Sequence, residues 1–190
     1  KARDSIAVVQ LHHAGMRSPE ELIGEKPHCP SDNEEFGARA LLTAEVDQLI
    51  EDFVAAAERA EKAGFDGVEL HGAHGYILCQ FLSPGVNQRH DKYGGSLENR
   101  SRPLFDIIDG IRARCGAEFH LGVRLSPERF DLKLNEIVEV AQRLMREDKI
   151  DYLDMSLWNV FKEPTDEEFK GKKLMDYFTE LDRGNVRLGV

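Results

Sequence analysis

Short apolar stretches alternate along the chain with stretches in which apolar residues recur every three or four positions. The short stretches are rich in β-branched residues and predict buried strands over residues 5–11, 65–70, 119–125, 150–156 and 186–190. The helical spacing predicts helices over residues 44–63, 104–114, 135–147 and 174–181, with a short helix over 78–82. Thr43 is the predicted N-cap of the first helix, and Pro103 is expected in the first turn of the helix over 104–114.

Strands and helices that alternate in this way predict an α/β fold with a parallel sheet covered by helices. Two architectures fit, an open doubly wound sheet and part of a (β/α)8 barrel, whose usual length is about 250 residues. No G-x-G-x-x-G motif follows the first strand, which disfavours a dinucleotide-binding sheet. Polar residues lie at or just beyond the carboxyl ends of the predicted strands: Gln10, His71, His74, Arg124 and Ser156. Because barrel enzymes carry their catalytic residues at this end, the pattern favours a barrel.

Charge and composition narrow the classes of function. Among the 190 residues, 25 Lys and Arg stand against 35 Asp and Glu, and the net charge of −10 argues against nucleic acid or an anionic membrane as a partner. No apolar run approaches the roughly 18 residues that a membrane-spanning helix needs. Cys29, Cys79 and Cys115 form no C-x-x-C pair, so we expect free thiols and a cytoplasmic protein. Since the chain lacks an initiator Met, we expect a fragment of a longer protein.

The clearest candidate for chemistry is the segment His71-Gly72-Ala73-His74-Gly75-Tyr76, directly after a predicted strand. Two histidines at this spacing could bind a metal, donate hydrogen bonds to a substrate oxygen, or cap the backbone of the turn. Tyr76 could act as a general acid or as an aromatic anchor of the loop. The glycines favour a site, because they allow a ligand to approach the backbone closely.

Two further polar residues end apolar strands. Arg124 needs either an acidic partner or an anionic ligand, since a charge at such a position is seldom buried alone. Gln10 offers both a donor and an acceptor to a planar heterocycle. The dense polar stretch over residues 89–102 is interpreted as a salt-bridged loop, and the stretch over 15–42 is too long for a plain connection.

Several longer motifs carry a family resemblance. They are Gln10-Leu11-x-His13-x-Gly15, Ala63-Gly64-Phe65-Asp66-Gly67-Val68-Glu69-Leu70-His71-Gly72-Ala73-His74-Gly75-Tyr76, Phe81-Leu82-Ser83-Pro84, Asn87-x-Arg89-x-Asp91-x-Tyr93-Gly94-Gly95-Ser96-x-Glu98-Asn99-Arg100 and Arg124-x-Ser126. With these motifs, residues 6–126 resemble the Old Yellow Enzyme-like NADH:flavin oxidoreductases, or ene-reductases. The resemblance implies a (β/α)8 TIM barrel, of which this chain holds about the third to the seventh strand. Residues 1–190 would then form a single partial FMN-binding domain.

The resemblance also implies roles for individual residues. Gln10 and Arg124 would contact the pyrimidine part of FMN, which NADH or NADPH reduces. His71 and His74 would bind the carbonyl oxygen of a small activated alkene such as an enone, and Tyr76 would give it a proton after hydride transfer. Met16 departs from the family, which often has Arg there. Because the phosphate-binding loops of the last two strands lie outside residues 1–190, we expect this chain alone to bind FMN weakly.

Two other functions compete with this interpretation. One is a metal-dependent barrel lyase or hydrolase that uses His71 and His74 as ligands. The other is a non-catalytic, truncated barrel fragment. A partial barrel exposes the edges of its sheet, which also makes a homo-oligomer an expectation.

Overall fold

The computed structural model describes residues 4–190 of the chain. Its strands are β1 (Val8–Leu11), β2 (His28–Cys29), β3 (Arg39–Ala40), β4 (Gly67–Gly72), β5 (His120–Leu125), β6 (Tyr152–Met155) and β7 (Arg187–Gly189). Its α-helices are α1 (Glu20–Ile23), α2 (Thr43–Lys62), α3 (Ile77–Leu82), α4 (Leu97–Arg114), α5 (Leu134–Glu147) and α6 (Asp176–Thr179). No helix within residues 4–190 is long and apolar enough to cross a membrane.

Five strands form one parallel sheet in the order β1-β4-β5-β6-β7, with helices in the connections between neighbours. The predicted parallel sheet is therefore confirmed. The short strands β2 and β3 form a separate parallel pair in the connection from β1 to α2. The long polar stretch over residues 15–42 thus contains structure of its own that the sequence did not indicate.

The two faces of the main sheet differ because strand side chains alternate between them. One face is apolar and packs against the helices; its members Val68, Leu70, Leu121, Val123, Leu125, Leu153 and Met155 are all fully buried. The other face carries Gln10, Glu69, His71, Arg124, Tyr152 and Asp154. In the register of the strands, His71 pairs with Arg124, which pairs with Asp154. The polar face therefore runs across neighbouring strands as a continuous layer.

Two predicted helix starts are wrong. Thr43 is the first helical residue of α2 rather than its N-cap, and its hydroxyl donates to Asp91 at 2.6 Å. The start is held instead by the Glu45 carboxylate, which accepts from the backbone N–H of Leu42 at 2.7 Å. Helix α4 begins at Leu97, so Pro103 lies inside it.

The earlier start of α4 has a local cause. The Ser96 hydroxyl accepts a hydrogen bond from the backbone N–H of Asn99 at 3.3 Å and caps the helix. The predicted salt-bridged loop is consequently right only in part. Arg89 pairs with Asp91 in the loop at 2.5 Å, whereas Arg100 pairs with Glu136 from within the helix at 2.8 Å. The helix predicted over 174–181 is shorter than expected, since only α6 forms there.

Candidate active site

The turn after β4 brings three candidate residues together. His71 is the penultimate residue of β4, and the backbone then passes through two left-handed residues, His74 (φ 60°) and Gly75 (φ 72°). A side chain at such a φ is uncommon, so the turn holds His74 in a strained conformation. The ring centroids of His71 and His74 lie 4.9 Å apart, and those of His71 and Tyr76 lie 5.3 Å apart. The three side chains form one cluster at the carboxyl end of the sheet.

Two serines from the neighbouring strands hold His74. Ser126 follows β5, and its hydroxyl accepts a hydrogen bond from the backbone N–H of His74 at 3.0 Å. Ser156 follows β6, and its hydroxyl oxygen lies 2.6 Å from Nε2 of the His74 ring. Because both the backbone and the ring are held, the imidazole keeps one orientation relative to His71.

Gln80 fastens the same turn to the loop after β1. Its side chain is buried, its Nε2 donates to the carbonyl of Gly75 at 2.7 Å, and its Oε1 accepts from the backbone N–H of Met16 at 3.3 Å. Gly15, with φ 62°, leaves room for this amide, because a Cβ there would lie 2.4 Å from Oε1 of Gln80. The loop after β1 is therefore fixed against the candidate site.

Burial keeps the histidine pair uncharged at neutral pH. His71 is 5% exposed, and burial together with the nearby His74, His12 and Arg124 lowers its pKa to about 4. Burial, and then Arg124, also lower the pKa of His74. A neutral imidazole has one N–H donor and one acceptor nitrogen. Nδ1 of His71 is buried without a hydrogen-bond partner among residues 4–190, which is an exception for a buried polar atom.

A second polar layer lies next to the histidines, toward the amino ends of the strands. Glu69 accepts one hydrogen bond from Nε2 of Gln10 at 2.5 Å and another from the Tyr152 hydroxyl at 2.7 Å. Tyr152 reaches Glu69 across β5 because Gly122 has no side chain; a Cβ on Gly122 would lie 2.0 Å from the tyrosine ring. The bond to Glu69 uses the amide nitrogen of Gln10 and leaves its carbonyl oxygen as an acceptor.

Arg124 has both an acidic partner and a neutral one. Its Nε lies 3.0 Å from Oδ2 of Asp154, and its Nη2 donates to the hydroxyl of Ser156 at 3.4 Å. Burial raises the pKa of Asp154, and the Arg124 charge opposes that rise. Ser156 therefore contacts Arg124 as well as His74, and it links the charged group of the polar face to the histidine pair.

Other residues considered in the sequence have different surroundings. Within residues 4–190, no group of three or more His, Cys, Asp or Glu side chains is arranged to hold a metal ion. Cys29, Cys79 and Cys115 are buried free thiols. Met16 is buried, and its sulfur lies 3.9 Å from that of Cys29. Arg17, the next residue, instead reaches the candidate site, where its Nε donates to the carbonyl of Gly75 at 3.3 Å.

Two residues that contact the predicted site residues, His12 and Asp154, were not predicted from the sequence. The ring of His12 lies edge-on to that of Tyr76 at 4.3 Å and is 5.4 Å from that of His71. Asp154 is the other, and it lies two positions before Ser156 in a predicted strand. The alternation of strand side chains could have placed it on the face of Ser156. No comparable signal in the sequence indicates the contact of His12 with Tyr76.

Comparison with known proteins identifies the family. Residues 1–170 match the family model described as "NADH:flavin oxidoreductase / NADH oxidase family". The chain therefore belongs to this family, as the sequence resemblance predicted.

Relatives and solved structures agree with this assignment. The chain is 39% identical to "Probable NADH-dependent flavin oxidoreductase YqiG" of Bacillus subtilis, over 84% of this chain and 46% of that protein. It is 40% identical to "NADPH dehydrogenase" of Clostridium acetobutylicum, over 82% of this chain and 47% of that protein. Morphinone reductase in complex with tetrahydroNAD matches with a TM-score of 0.79 and 31% identity, over 98% of this chain and 56% of that chain.

These matches show how much of the length of the matched proteins this chain covers. The chain spans about half the length of the relatives and the solved structure that it matches. The old yellow enzyme homologue of Zymomonas mobilis gives the same picture, with a TM-score of 0.77 and 30% identity over 97% of this chain and 56% of that chain. The predicted fold class, an α/β barrel represented by part of its chain, is confirmed.

Proposed function

We propose that this chain forms part of an FMN-dependent oxidoreductase in which NADH or NADPH is the reductant and a small activated alkene of the enone type is the substrate. The observation that carries the proposal is the cluster of His71, His74 and Tyr76 at the carboxyl end of the sheet. Two neutral donors and a phenol in one place suit a reaction in which an oxygen gains charge while a carbon gains a proton.

The polar face supports the binding of FMN. Gln10 offers an amide carbonyl and Arg124 a cation, which suit the N–H and carbonyl groups of a flavin ring. When bound, FMN supplies the hydride that the alkene receives. In this proposal residues 1–190 belong to one FMN-binding barrel domain.

His71 and His74 bind and orient the alkene through its carbonyl oxygen. Since the pKa of each is lowered, both rings are neutral at pH 7 and each can donate one N–H to that oxygen. The two hydrogen bonds strengthen as the oxygen gains negative charge, so they stabilise the transition state more than the bound substrate. Ser126 and Ser156 hold His74 in place for this purpose.

Tyr76 delivers the proton that completes the reduction. Its ring lies 5.3 Å from that of His71, which supports a position of the phenol beside the alkene that the histidines bind. The hydroxyl gives its proton to the carbon next to the carbonyl group and is reprotonated from solvent. The ring of His12, 4.3 Å away, restricts the orientation of the phenol.

The substitution Tyr76→Phe tests this role in the FMN-loaded enzyme. Removal of the phenolic proton donor is expected to slow alkene reduction by about 100-fold or more, since general acids contribute effects of this size. The flavin is expected to be reduced by NADPH at an almost unchanged rate. Rapid-mixing absorbance of the flavin measures the two half-reactions separately.

Tyr177→Phe is the matched control, because it removes a phenolic hydroxyl that donates to the carbonyl of Phe169 away from this cluster. It is expected to leave both half-reactions unchanged. Equal losses in both half-reactions of Tyr76→Phe would contradict the assigned role. A preparation of the whole enzyme, rather than of residues 1–190 alone, that releases no free FMN on denaturation and fails to take up added FMN would contradict the flavin proposal itself.

A further inference from the structure

Two arginines and two aromatic rings alternate along the rim next to the candidate site. In order, this arginine–aromatic row consists of Arg17, Phe130, Arg129 and Trp158. Cζ of Arg17 and Cζ of Arg129 each lie 5.8 Å from the centroid of the Phe130 ring, and Cζ of Arg129 lies 4.8 Å from that of Trp158. The row begins beside Gly75, whose carbonyl accepts from Nε of Arg17, and ends two residues after Ser156. It therefore borders the cluster of His71, His74 and Tyr76.

Both arginines of the row lack an acidic partner. Within residues 4–190, no carboxylate forms an ion pair with Arg17 or Arg129. Both residues are exposed. No carboxylate of the described residues neutralises either guanidinium group, so both can interact with a negative group of a bound molecule.

The backbone of the row is held in strained conformations. Arg129 (φ 71°), Phe130 (φ 53°) and Trp158 (φ 64°) all adopt left-handed backbone angles, although none is a glycine. Such conformations persist where the surroundings enforce them, and they cluster at ligand-binding sites. Here the buried carboxylate of Glu128 joins the two loops by accepting from Lys162 and from the backbone N–H of Thr165. The two loops that carry Arg129, Phe130 and Trp158 are thus joined to each other beside the candidate site.

The geometry leaves the hydrogen-bonding edges of the arginines available. A guanidinium group that lies over an aromatic ring uses its face for that contact. Its N–H groups point outward in the plane and match two oxygens of a phosphate or a carboxylate. Cζ of Arg17 also lies 5.6 Å from the centroid of the Phe36 ring, and of its N–H groups only Nε donates to the protein, to the carbonyl of Gly75.

We propose that Arg17 and Arg129 bind an oxyanion, a phosphate or a carboxylate, on the molecule that enters the candidate site. The identity of that molecule rests on the proposed function, which supplies two carriers of this chemistry. One is the phosphate-bearing part of the nicotinamide dinucleotide. The other is an activated alkene that carries a carboxylate.

A titration with inorganic pyrophosphate tests the site without catalysis. Trp158 is the single tryptophan of the chain and contacts Arg129, so its fluorescence reports binding at constant ionic strength. We expect a saturable change whose Kd rises about tenfold or more in Arg17→Gln and Arg129→Gln, the scale of one lost charged hydrogen bond. Arg17→Lys is expected to recover part of the affinity. Arg183→Gln, which removes an exposed charge from the loop before β7, is expected to bind as the unsubstituted protein does.

This titration tests the oxyanion site of Arg17 and Arg129 separately from the proposed enzyme function. No saturable change, or equal Kd values in all three glutamine variants, would overturn the proposal. Because no alkene is turned over, failure of the proposed enzyme function would leave this result unaffected. Circular dichroism checks that each variant is folded, and both substituted side chains are exposed.

Kinetics of the FMN-loaded enzyme then identify the carrier. If the dinucleotide is the carrier, both variants raise the Kd of NADPH in flavin reduction and treat an enone acid and its methyl ester alike. If the alkene is the carrier, they raise KM for the acid and leave KM for the ester unchanged. Either pattern supports the proposal. Weaker binding of FMN by both variants would assign the arginines to the cofactor phosphate and overturn it.

Discussion

The two faces of the five-stranded sheet are built from alternate residues of the same strands, yet their surroundings are opposite. On the helix-covered face, Val68 and Leu70 of β4 are fully buried among other apolar side chains. On the polar face of the same strand, Glu69 bonds to two side chains from other strands and His71 has an unpartnered nitrogen. A strand of six residues thus contributes to the core and to the candidate site at once.

The two faces of the sheet therefore have different roles: the apolar face stabilises the fold, and the polar face contains the candidate site. The apolar face gains free energy from burial, which requires only size and shape. On the polar face, the charged and polar groups lose their contacts with water when the protein folds, which costs free energy. Defined contacts between these groups, such as that between Arg124 and Asp154, offset this cost. A substitution on one face should therefore affect mainly folding, and one on the other mainly the site.

The largest effect on stability is expected for Leu70→Ala. The substitution removes a fully buried side chain from the helix-covered face and leaves a cavity, which costs about 3 kcal/mol of the free energy of unfolding. Urea denaturation followed by far-UV circular dichroism measures this change.

Glu69→Gln is the matched substitution on the polar face. It keeps the size of the side chain and one acceptor oxygen, so we expect a loss of about 1 kcal/mol or less. If Glu69→Gln destabilised the protein as much as Leu70→Ala, the two faces would not differ in the way described, and the polar face would be part of the stabilising core.

A smaller effect is expected from the titration of His71. In the unfolded chain this histidine has a pKa of about 6.5, whereas burial lowers it to about 4 in the folded protein. Between these pH values the unfolded state binds more protons than the folded state. The folded state therefore loses stability as the pH falls. We expect His71 alone to account for a loss of about 2 kcal/mol between about pH 7 and about pH 4.5. Urea denaturation across this range measures the loss.

Substitution separates His71 from the other titrating groups. His71→Asn cannot titrate, so its free energy of unfolding should fall less steeply with decreasing pH than that of the unsubstituted protein. Equal slopes for the two proteins would show that burial of His71 does not disfavour its charged form.

The helix-covered face was the more predictable of the two. Apolar periodicity gave the five strands, their parallel arrangement and the long helices, because burial imposes a period of two on strands and of about 3.6 on helices. Helix boundaries were less predictable, as Thr43 and Ser96 illustrate. Both are good caps by residue type, but only Ser96 caps, since Glu45 takes that part at the start of α2.

The polar face was predictable only where its residues lie in one motif. His71, His74 and Tyr76 are near one another in sequence, and their cluster followed from the turn after β4. The contact of Tyr152 with Glu69 joins positions that are far apart in sequence and depends on the absence of a side chain at Gly122. The left-handed backbone at Phe130 has no glycine to indicate it. Such features depend on the assembled sheet.

Substitution of Ser156 tests the difference between the two faces through the smallest expected effect. Its hydroxyl lies 2.6 Å from Nε2 of His74 and accepts from Nη2 of Arg124 at 3.4 Å, so it positions two members of the polar face. Loss of one such hydrogen bond costs about 1 kcal/mol, or roughly a fivefold change. We expect this cost to affect substrate binding or turnover rather than the free energy of unfolding.

We therefore expect Ser156→Ala to raise KM for the alkene, or to lower kcat, by roughly fivefold while the free energy of unfolding changes by less than about 1 kcal/mol. Steady-state kinetics of the FMN-loaded enzyme and urea denaturation measure the two quantities. Ser101→Ala is the control, because the Ser101 hydroxyl donates to the carbonyl of Glu98 within α4. Two results would contradict the difference between the two faces. One is an equal loss of activity in both variants, and the other is a loss of stability in Ser156→Ala as large as that in Leu70→Ala. In either case the Ser156 hydroxyl would act on the fold as a whole.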